Sequence, residues 1–415
     1  MSLTGTTVPQ DDGPKLQQLV EQLTEAAKSY TPGPGGAGYE SRANVTHIAK
    51  EIVRLMMAPN HMAMQHATNG LEIVAVRTML GLGVLKAIPL EGSISLAELS
   101  KATNVQDSLL ERMLRLLVGT GFIDQTPDYE YIHTKFSRAY IPVPGPGNFF
   151  QFINDECLST MLHFHQYIKD RGDVPVHEPD DPLRNPYTHR HNQDGLPVWA
   201  VMAQFPDRFK TFQLGLMSQE DSAPITGFYD FSSLYDPETD GDRTTLIDLG
   251  GGQGQSIIEI LSNNPTLRAD KFVLQDLPEP IAHAQESKSL PEGVTAMVHD
   301  FWTPQPIKGA KAYFFRRIMH DYSDENCTKI LTRVRDAMEP DSKVLIADMV
   351  MPKRVGEADL PAAAMDNCVM VMGGKERTED GFRKILEDAG LKLHKVWRSR
   401  EGGAAGNIVE ARLKD

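Results

Sequence analysis

Residues 244–255, with the sequence TTLIDLGGGQGQ, decide the fold of this chain. A short apolar strand runs into a glycine-rich turn, and a helix-compatible segment, QSIIEILSNN, follows. From here to the C-terminus apolar strands alternate with helices, as in an α/β protein with a mostly parallel, doubly wound sheet. The glycine turn then lies at the carboxyl edge of the first strand, where a ligand can approach the backbone.

The glycine turn points to a particular kind of ligand. Its spacing, Gly250-x-Gly252-x-Gly254, differs from the G-x-G-x-x-G of dinucleotide sites. Asp248 stands just before the glycines, and a carboxylate there suits a cationic ligand better than a phosphate. A tight turn with glycines for packing alone is the alternative interpretation. Four glycines in the five positions 250–254 favour the ligand.

Acidic residues end the next two predicted strands. Asp276 follows KFVLQ, where a carboxylate can accept hydrogen bonds from ribose hydroxyls. Its alternative role is to cap the helix that begins near Pro278. Asp300 and Phe301 end the third strand, where a carboxylate can accept the exocyclic amine of adenine and a ring can stack on the base. The ordered set predicts a nucleoside site.

The fourth strand brings His320 to the same edge of the sheet, in the sequence RRIMHDYSD. A histidine with an ordinary pKa of about 6.5 can take a proton from a phenol or hydroxyl near neutral pH, so we expect activity to rise through a pKa of about 6–7. A base needs an orienting acid, and Asp348 and Glu376 are the candidates. A lone histidine at a strand end is more often structural, but these three residues together favour a base.

Composition excludes several classes of protein. The net charge of −14 disfavours binding to nucleic acid, and no apolar run approaches the roughly 20 residues that span a bilayer. The N-terminus does not resemble a secretory signal, and three scattered cysteines predict neither disulfides nor a zinc site. We also expect no metal at the HxH pairs, His163 with His165 and His189 with His191. The sequence predicts a reduced, cytoplasmic protein that acts on a small molecule.

The rest of the chain predicts two further regions. Residues 1–43 form a polar segment and an amphipathic helix, with an apolar stripe at 16–26. Residues 44–145 follow the helix–turn–helix–hairpin order of a winged helix. Its second helix offers few basic residues, so dimerisation is favoured over DNA binding. Residues 146–415 form the catalytic domain, in which 146–240 is a helical substrate-pocket segment with a long polar loop at 170–195. The surplus apolar surface of 16–26 and 44–88 predicts an intertwined homodimer.

From about residue 45 onward the chain resembles the S-adenosylmethionine (SAM)-dependent small-molecule O-methyltransferases of plants and fungi, of the caffeate and isoflavone type. The motifs that carry the resemblance are IDLGGGQG, VLQDLP, VHDFWTPQP, FFRRIMHDYSDENCTKIL and GGKERTEDGFRKILEDAG. The resemblance implies a Rossmann-like SAM-binding domain, a winged-helix dimerisation domain, and methylation of a hydroxyl on an aromatic or polyketide-type secondary metabolite.

The resemblance also assigns roles to residues. His320 would be the general base, held by Asp348 and Glu376. The family usually has Glu at position 348 and Trp at position 322, and the shorter Asp348 weakens the expected contact with the base. A lysine commonly stands at position 316. The residues implied to contact SAM are Gly250, Asp276, Asp300, Phe301 and Arg316.

A second resemblance keeps an alternative open. Some fungal proteins of the same fold bind SAM but act as pericyclases, in which SAM is an electrostatic helper. Arg316, Arg317 or His163 would then act on the substrate, and Met370 could line an apolar pocket. The retained His320 favours methyl transfer, while the substitution at Asp348 and the histidine-rich loop favour the alternative. A DNA-binding regulator built on the winged helix is disfavoured by the acidic charge.

Overall fold

The computed structural model describes residues 12–33, 36–218, 225–399 and 406–414. Residues 1–11, which belong to the predicted N-terminal polar segment, lie outside these residues. Contacts divide the chain into two compact units that alternate along the sequence. The first holds mainly Glu51–Phe164 and Val198–Asp221, and the second holds Gly13–Lys50, His165–Pro197 and Ser222–Asp415.

This division cuts the chain differently from the sequence-based boundaries. The predicted catalytic segment 146–240 is shared between the two units, because its first residues pack with the winged helix. Phe150, for example, contacts Tyr140 with ring centroids 5.6 Å apart. The N-terminal residues instead join the second unit, where Tyr39 donates a hydrogen bond to the carbonyl oxygen of Ala358 at 2.6 Å.

The N-terminal third is helical and ends in a small hairpin, as predicted for a winged helix. Ser95 caps the helix that follows it, since its side chain accepts from the N–H of Glu98 and Glu98 bonds back to Ser95. Leu99, Leu110 and Leu114 are fully buried in the core of this region. The elements are α1 (Gly13–Lys28), α2 (Gly36–Met56), α3 (His61–Gly81), α4 (Val84–Ala87), α5 (Leu96–Thr103), α6 (Asp107–Gly119), β1 (Ile123–Gln125), β2 (Tyr131–His133) and α7 (Lys135–Ala139).

The middle of the chain is built from short helices. A π-helical segment, Ile153–Leu158, interrupts them, and Arg208 forms an ion pair there with the buried Glu156 at 2.5 Å. No helix among the described residues is long and apolar enough to cross a membrane. The elements are α8 (Pro146–Phe152), α9 (Ser159–Met161), α10 (Phe164–Arg171), α11 (Pro186–Arg190), α12 (Val198–Met202) and α13 (Pro206–Met217).

The C-terminal part folds into strands and helices in alternation, which confirms the predicted α/β class. The strands are β3 (Leu246–Leu249), β4 (Phe272–Asp276), β5 (Thr295–Val298), β6 (Ala312–Arg316), β7 (Lys343–Asp348), β8 (Val350–Met351), β9 (Arg377–Thr378), β10 (Leu391–Trp397) and β11 (Asn407–Leu413). The helices are α14 (Gln255–Asn263), α15 (Pro278–Ser287), α16 (Asp324–Arg335), α17 (Leu360–Val369) and α18 (Glu379–Asp388).

The described strands form a seven-stranded sheet in the order β10-β11-β7-β6-β3-β4-β5. Strands β3 to β7 run parallel, and β10 and β11 are antiparallel at one edge. All four residues of β3 are buried, as expected for a central strand covered on both faces. The strand order reverses beside β3, because β4 and β5 lie on one side and β6 and β7 on the other. Ligands bind at the carboxyl edge next to such a reversal.

Candidate active site

The glycine turn after β3 packs closely against neighbouring side chains. Gly252 adopts a left-handed φ of +59°, which glycine tolerates best. A Cβ on Gly251 would lie 2.6 Å from Leu274 Cδ1 and would also collide with the carboxylate of Asp248. A Cβ on Gly250 would lie 3.5 Å from the ring of Phe301. The turn therefore brings a bare backbone together with the predicted adenine-stacking ring.

Asp248 is a buried carboxyl group beneath this turn. Neither of its oxygens has a hydrogen-bond partner among the described residues. Burial raises the pKa of Asp248 to about 7; Arg316 opposes the rise and Asp276 adds to it. A buried carboxyl group without partners is costly when ionised, and a bound cation would relieve that cost.

Asp276 lies at the carboxyl end of β4 and accepts hydrogen bonds from two backbone segments. Its Oδ2 accepts from the N–H of Gly252 at 2.7 Å, and its Oδ1 accepts from the N–H of Leu277 at 2.7 Å. Burial raises the pKa of Asp276, although these two hydrogen bonds work against the rise. Helix α15 has Leu277 at its N-cap and no side-chain capping bond, so the alternative role of Asp276 as a helix cap is not seen, and its carboxylate instead joins the end of β4 to the glycine turn.

Asp300 and Phe301 follow β5 at the same edge. Asp300 is exposed, and its Oδ1 accepts from the N–H of Trp302 at 3.1 Å. The ring of Phe301 lies 5.7 Å from Trp302 and 5.9 Å from Tyr322, in an aromatic cluster. Tyr322, which replaces the usual tryptophan, thus keeps an aromatic contact with Phe301.

Arg316 ends β6 next to the glycine turn. Its Nη1 lies 3.5 Å from Oε2 of Glu259 on α14, and its charge acts on Asp248. Arg317 follows with a left-handed φ of +55°, and its N–H bonds to the carbonyl oxygen of Ala347 at 3.2 Å. A non-glycine residue in this conformation stores strain, which occurs often at functional sites.

His320 lies in a 3-10 turn, Met319–Asp321, that follows β6. Its Nδ1 donates to Oε1 of Glu376 at 2.8 Å, and its Nε2 lies 3.4 Å from Oδ1 of Asp321. The side chain of Glu376 is fully buried and that of His320 is 15% exposed. Glu376 therefore makes the expected contact between base and acid.

The electrostatics of His320 differ from the sequence-based expectation. Burial favours the neutral ring, but Glu376, Asp321 and Asp348 outweigh it and raise the pKa of His320 to about 10. This raised pKa favours the imidazolium in the protein without ligands; the predicted rise of activity through a pKa of about 6–7 concerns the enzyme with SAM and acceptor bound and stays a prediction. Asp321 is adjacent to His320 in the sequence, whereas Glu376 and Asp348 come next to the ring only in the folded chain, so the combined effect of the three carboxylates on the pKa was not foreseen.

Asp348 ends β7 in the same cluster but makes no hydrogen bond to His320. Neither of its oxygens has a partner among the described residues. Burial raises the pKa of Asp348 to about 7, while His320 opposes the rise. The predicted role of Asp348 as a direct holder of the base is not seen in this geometry, because the aspartate side chain is one methylene shorter than glutamate.

Similarity to known proteins supports the same assignment as this geometry. A family model described as the O-methyltransferase domain matches residues 195–392, and one described as the O-methyltransferase dimerisation domain matches residues 64–142. Methyltransferase cfoD of Aspergillus candidus is 30% identical over 406 residues, which cover 95% of this chain and 98% of that protein. The chain belongs to the O-methyltransferase family.

Three further proteins resemble this chain. O-methyltransferase hmp5 of Hypomyces subiculosus is 32% identical, with 80% of this chain and 82% of that protein covered. The structure of OxaC in complex with sinefungin and meleagrin has a TM-score of 0.85 at 26% identity and covers 97% of this chain and all of that one. LepI in complex with SAM has a TM-score of 0.80 at 23% identity, with 97% of this chain and all of LepI covered, and shows likeness of fold alone.

The predicted substrate-pocket residues lie in different places. His163 belongs to the first compact unit, where its Nδ1 faces the carbonyl oxygen of Ser159 at 3.0 Å. Met370 and Arg317 belong to the second unit, as does the His320–Glu376 pair. Met370 begins a 3-10 turn, Met370–Met372, that leads into the segment carrying Glu376.

The long polar loop is packed against that segment. Glu178 forms an ion pair with Lys375 at 2.6 Å, and α11 contacts the turn Met370–Met372. Lys375 precedes Glu376 and donates its N–H to the carbonyl oxygen of His320 at 2.8 Å. The loop predicted as a functional surface thus touches the backbone on which the pair depends.

Three residues of the site were missed by sequence reasoning. Asp321 directly follows His320 in the sequence but was not among the predicted site residues. Asp366 on α17 accepts the N–H of Glu376 at 2.8 Å, and Arg377 is a fully buried cation directly after Glu376. No local pattern marks either of these two, since a buried arginine and a surface arginine look alike in a single sequence.

Proposed function

We propose that this O-methyltransferase transfers a methyl group from SAM to a hydroxyl oxygen of a small aromatic or polyketide-type secondary metabolite. The observation that carries the proposal is the His320–Glu376 pair, whose atoms Nδ1 and Oε1 lie 2.8 Å apart at the ligand edge of the sheet. A histidine held by a buried carboxylate is the usual arrangement for accepting a proton from an oxygen nucleophile.

SAM fits the residues at the edge of the sheet. The unpartnered carboxyl group of Asp248 suits a cationic ligand, and the bare turn at Gly250–Gly252 lets a ligand approach the backbone. We assign the ribose to Asp276, the adenine to Asp300 and Phe301, and the amino-acid end to Asp248 and Arg316. When bound, SAM supplies an electrophilic methyl group.

In this proposal His320 takes the proton of the acceptor hydroxyl through Nε2. Glu376 holds Nδ1 and stabilises the positive charge that the ring acquires. The acceptor oxygen forms its bond to the methyl carbon as the bond between that carbon and sulfur breaks, and the proton stays on His320 until solvent removes it. Asp348 tunes the charge of the cluster without touching the ring.

The charge of His320 sets the expected pH dependence. Only the neutral imidazole can accept a proton, whereas the carboxylates favour the imidazolium in the ligand-free protein. A positive charge bound close by favours the neutral ring. Activity should therefore rise with pH, through an apparent pKa above the ordinary value of about 6.5 and below the ligand-free value of about 10.

Substitution of the base tests the proposal. His320→Ala should bind SAM as the parent does, by calorimetry, and turn over about 10² to 10⁴ times more slowly. His394→Ala, at an exposed position on β10, is the control and should keep both properties. Unchanged turnover in His320→Ala with an established acceptor would show that His320 is not the base.

One observation favours a second candidate, a SAM-dependent pericyclic reaction without methyl transfer. Carboxylates face both ring nitrogens of His320, at 2.8 and 3.4 Å, so the ligand-free ring is a hydrogen-bond donor. A donor of this kind could promote a dehydration or rearrangement. In that case the parent would form an isomerised or dehydrated product while SAM stays intact.

We further propose that the protein is a homodimer, through the region matched by the dimerisation-domain model. In the first unit, α2 and α3 expose apolar side chains that no described residue covers. These exposed side chains are Val53, Met56, Met62, Met64, Leu71 and Val74. Exposed large apolar side chains in this number on two consecutive helices favour a protein–protein interface.

A further inference from the structure

Arg377 is the residue from which we draw a further inference. It is 2% exposed, and it directly follows Glu376 in the chain. Parallel pairing of Val350 with Arg377 fixes this point of the backbone beside the end of β7. A buried arginine needs hydrogen-bond partners for its donors, so the positions of those partners show what it holds.

The partners of Arg377 are carbonyl groups on both sides of His320. Nη1 donates to the carbonyl oxygen of Met319 at 2.7 Å, and Nη2 donates to that of Tyr322 at 2.7 Å. Nη1 also donates to the carbonyl oxygen of Lys375 at 3.2 Å. One guanidinium therefore joins the turn that carries His320 to the segment that carries Glu376, directly before β9.

Two further contacts complete the connection. Nε of Arg377 donates to Oδ1 of Asp324, the first residue of α16, at 3.0 Å. The N–H of Lys375 donates to the carbonyl oxygen of His320 itself at 2.8 Å. The backbone of the turn is thus bonded at three positions to residues 375–377. These bonds restrict how far the side chains of His320 and Glu376 can move apart.

We propose that Arg377 is a positioning residue, whose forked hydrogen bonds set the His320–Glu376 contact. The inference rests on the proposed role of His320 as base. If Arg377 served stability alone, the ion pair with Asp324 would be enough. Its other donors would then not need to bond to carbonyl groups on both sides of one turn. Lysine cannot replace the fork, because a single ammonium at the end of a flexible stem does not span two separated carbonyl groups.

The charges around the pair make the position of His320 measurable. Glu376 is the neighbour that raises the pKa of His320 most, so a looser contact lowers that pKa. Arg377→Lys keeps the positive charge, and any shift then reports geometry rather than lost charge. The other charged or titratable groups facing Arg377 and His320 are Asp321 in the turn, Asp324 and Cys327 on α16, Asp348 on β7 and Lys384 on α18.

The experiment is a titration of labelled histidine by NMR in the full-length parent and in Arg377→Lys, with His320→Gln to assign the signal. We expect the pKa of His320 to fall in Arg377→Lys toward the ordinary value of about 6.5. With an established acceptor, kcat should fall about 10- to 100-fold, while the KM for SAM stays close to that of the parent. Arg243→Lys is the matched control, since Arg243 bonds to Gly309 and Asp341 and has no contact with the turn.

Asp324→Glu, which keeps the negative charge, provides a second variant if Arg377→Lys does not fold, and it should shift the same signal in the same direction by less. A His320 pKa equal to that of the parent in a folded Arg377 or Asp324 variant would overturn the proposal. The titration does not depend on turnover, so it tests the positioning role of Arg377 separately from the role of His320 as base. If His320→Ala kept full activity, the role of His320 as base would fail, whereas an unshifted titration would refute the positioning role alone.

Discussion

The carboxylate of Asp276 accepts a hydrogen bond from the backbone N–H of Gly252 at 2.7 Å. The end of β4 is thereby joined to the glycine turn after β3, two segments that are 24 residues apart in sequence. A site whose walls are already bonded to each other needs little ordering when a ligand binds. This contact makes Asp276 the best single position at which to test the cofactor site.

Asp276→Ala should weaken SAM binding by about 10- to 100-fold, because a charged hydrogen-bond acceptor contributes roughly 1.5–3 kcal/mol. The thermal shift that SAM produces should shrink accordingly, since a ligand stabilises only the state it binds. Asp270→Asn is a suitable control, as Asp270 is exposed and paired with Arg268 before the opposite end of β4. A full thermal shift in both Asp276→Ala and Gly252→Val would contradict the site.

Asp248 should make the stability of the ligand-free protein depend on pH. Its pKa is about 7 when folded and about 3.9 when unfolded, so the folded state holds its proton more tightly. The contribution of Asp248 to the free energy of unfolding is therefore fully present below about pH 4, and this contribution is lost as the pH rises toward 7. Asp248→Asn removes that loss, and the variant should gain stability relative to the parent between pH 4 and 8.

The same variant should bind SAM at least about tenfold more weakly, because an amide offers no charge to a cationic ligand. Urea unfolding at pH 4 and pH 8, with calorimetry of SAM binding, measures both effects. A stability difference between Asp248→Asn and the parent that is the same at both pH values would show that Asp248 does not titrate as described.

The apolar surface on α2 and α3 leads to a prediction about assembly. Replacing Met64 and Leu71 together by glutamate puts two charges on side chains that are 69% and 59% exposed. If this surface is the dimer interface, the double variant should sediment as a monomer at micromolar concentration, while Gln65→Glu on the same helix stays dimeric. A parent protein that sediments as a monomer would rule out the homodimer.

The sequence alone predicted the fold and several of the residues at the carboxyl edge of the sheet, where we propose that SAM binds. The alternation of strands and helices after Thr244 predicted the sheet, and its parallel strands necessarily bring Asp248, Asp276 and Arg316 to one edge. Spacing could not show which carboxyl group reaches His320. That choice depends on one methylene of Asp348 and on the path of the chain from β7 to β9.

Long-range contacts account for the other differences between the sequence-based expectations and the structure. The hydrogen bond from Tyr39 to Ala358 joins positions 319 residues apart, so no local pattern could place residues 13–50 with the second unit. The burial of Arg377 depends on the turn at Met319–Tyr322, whose bonded carbonyl groups lie 58 and 55 residues away in sequence. The raised pKa of His320 depends on Asp321, which follows it in the sequence, and on Glu376 and Asp348, which only the folded chain brings to the ring.

The most direct test of the account is the amount of demethylated cofactor formed for each molecule of product. The parent protein would be incubated with SAM carrying a deuterated methyl group and a panel of hydroxylated aromatic and polyketide-type acceptors, with mass spectrometry of both products. Methyl transfer predicts one demethylated cofactor per product and a deuterated methyl group on the product oxygen. Product formed in large excess over demethylated cofactor, without the label, would contradict the proposed methyltransferase.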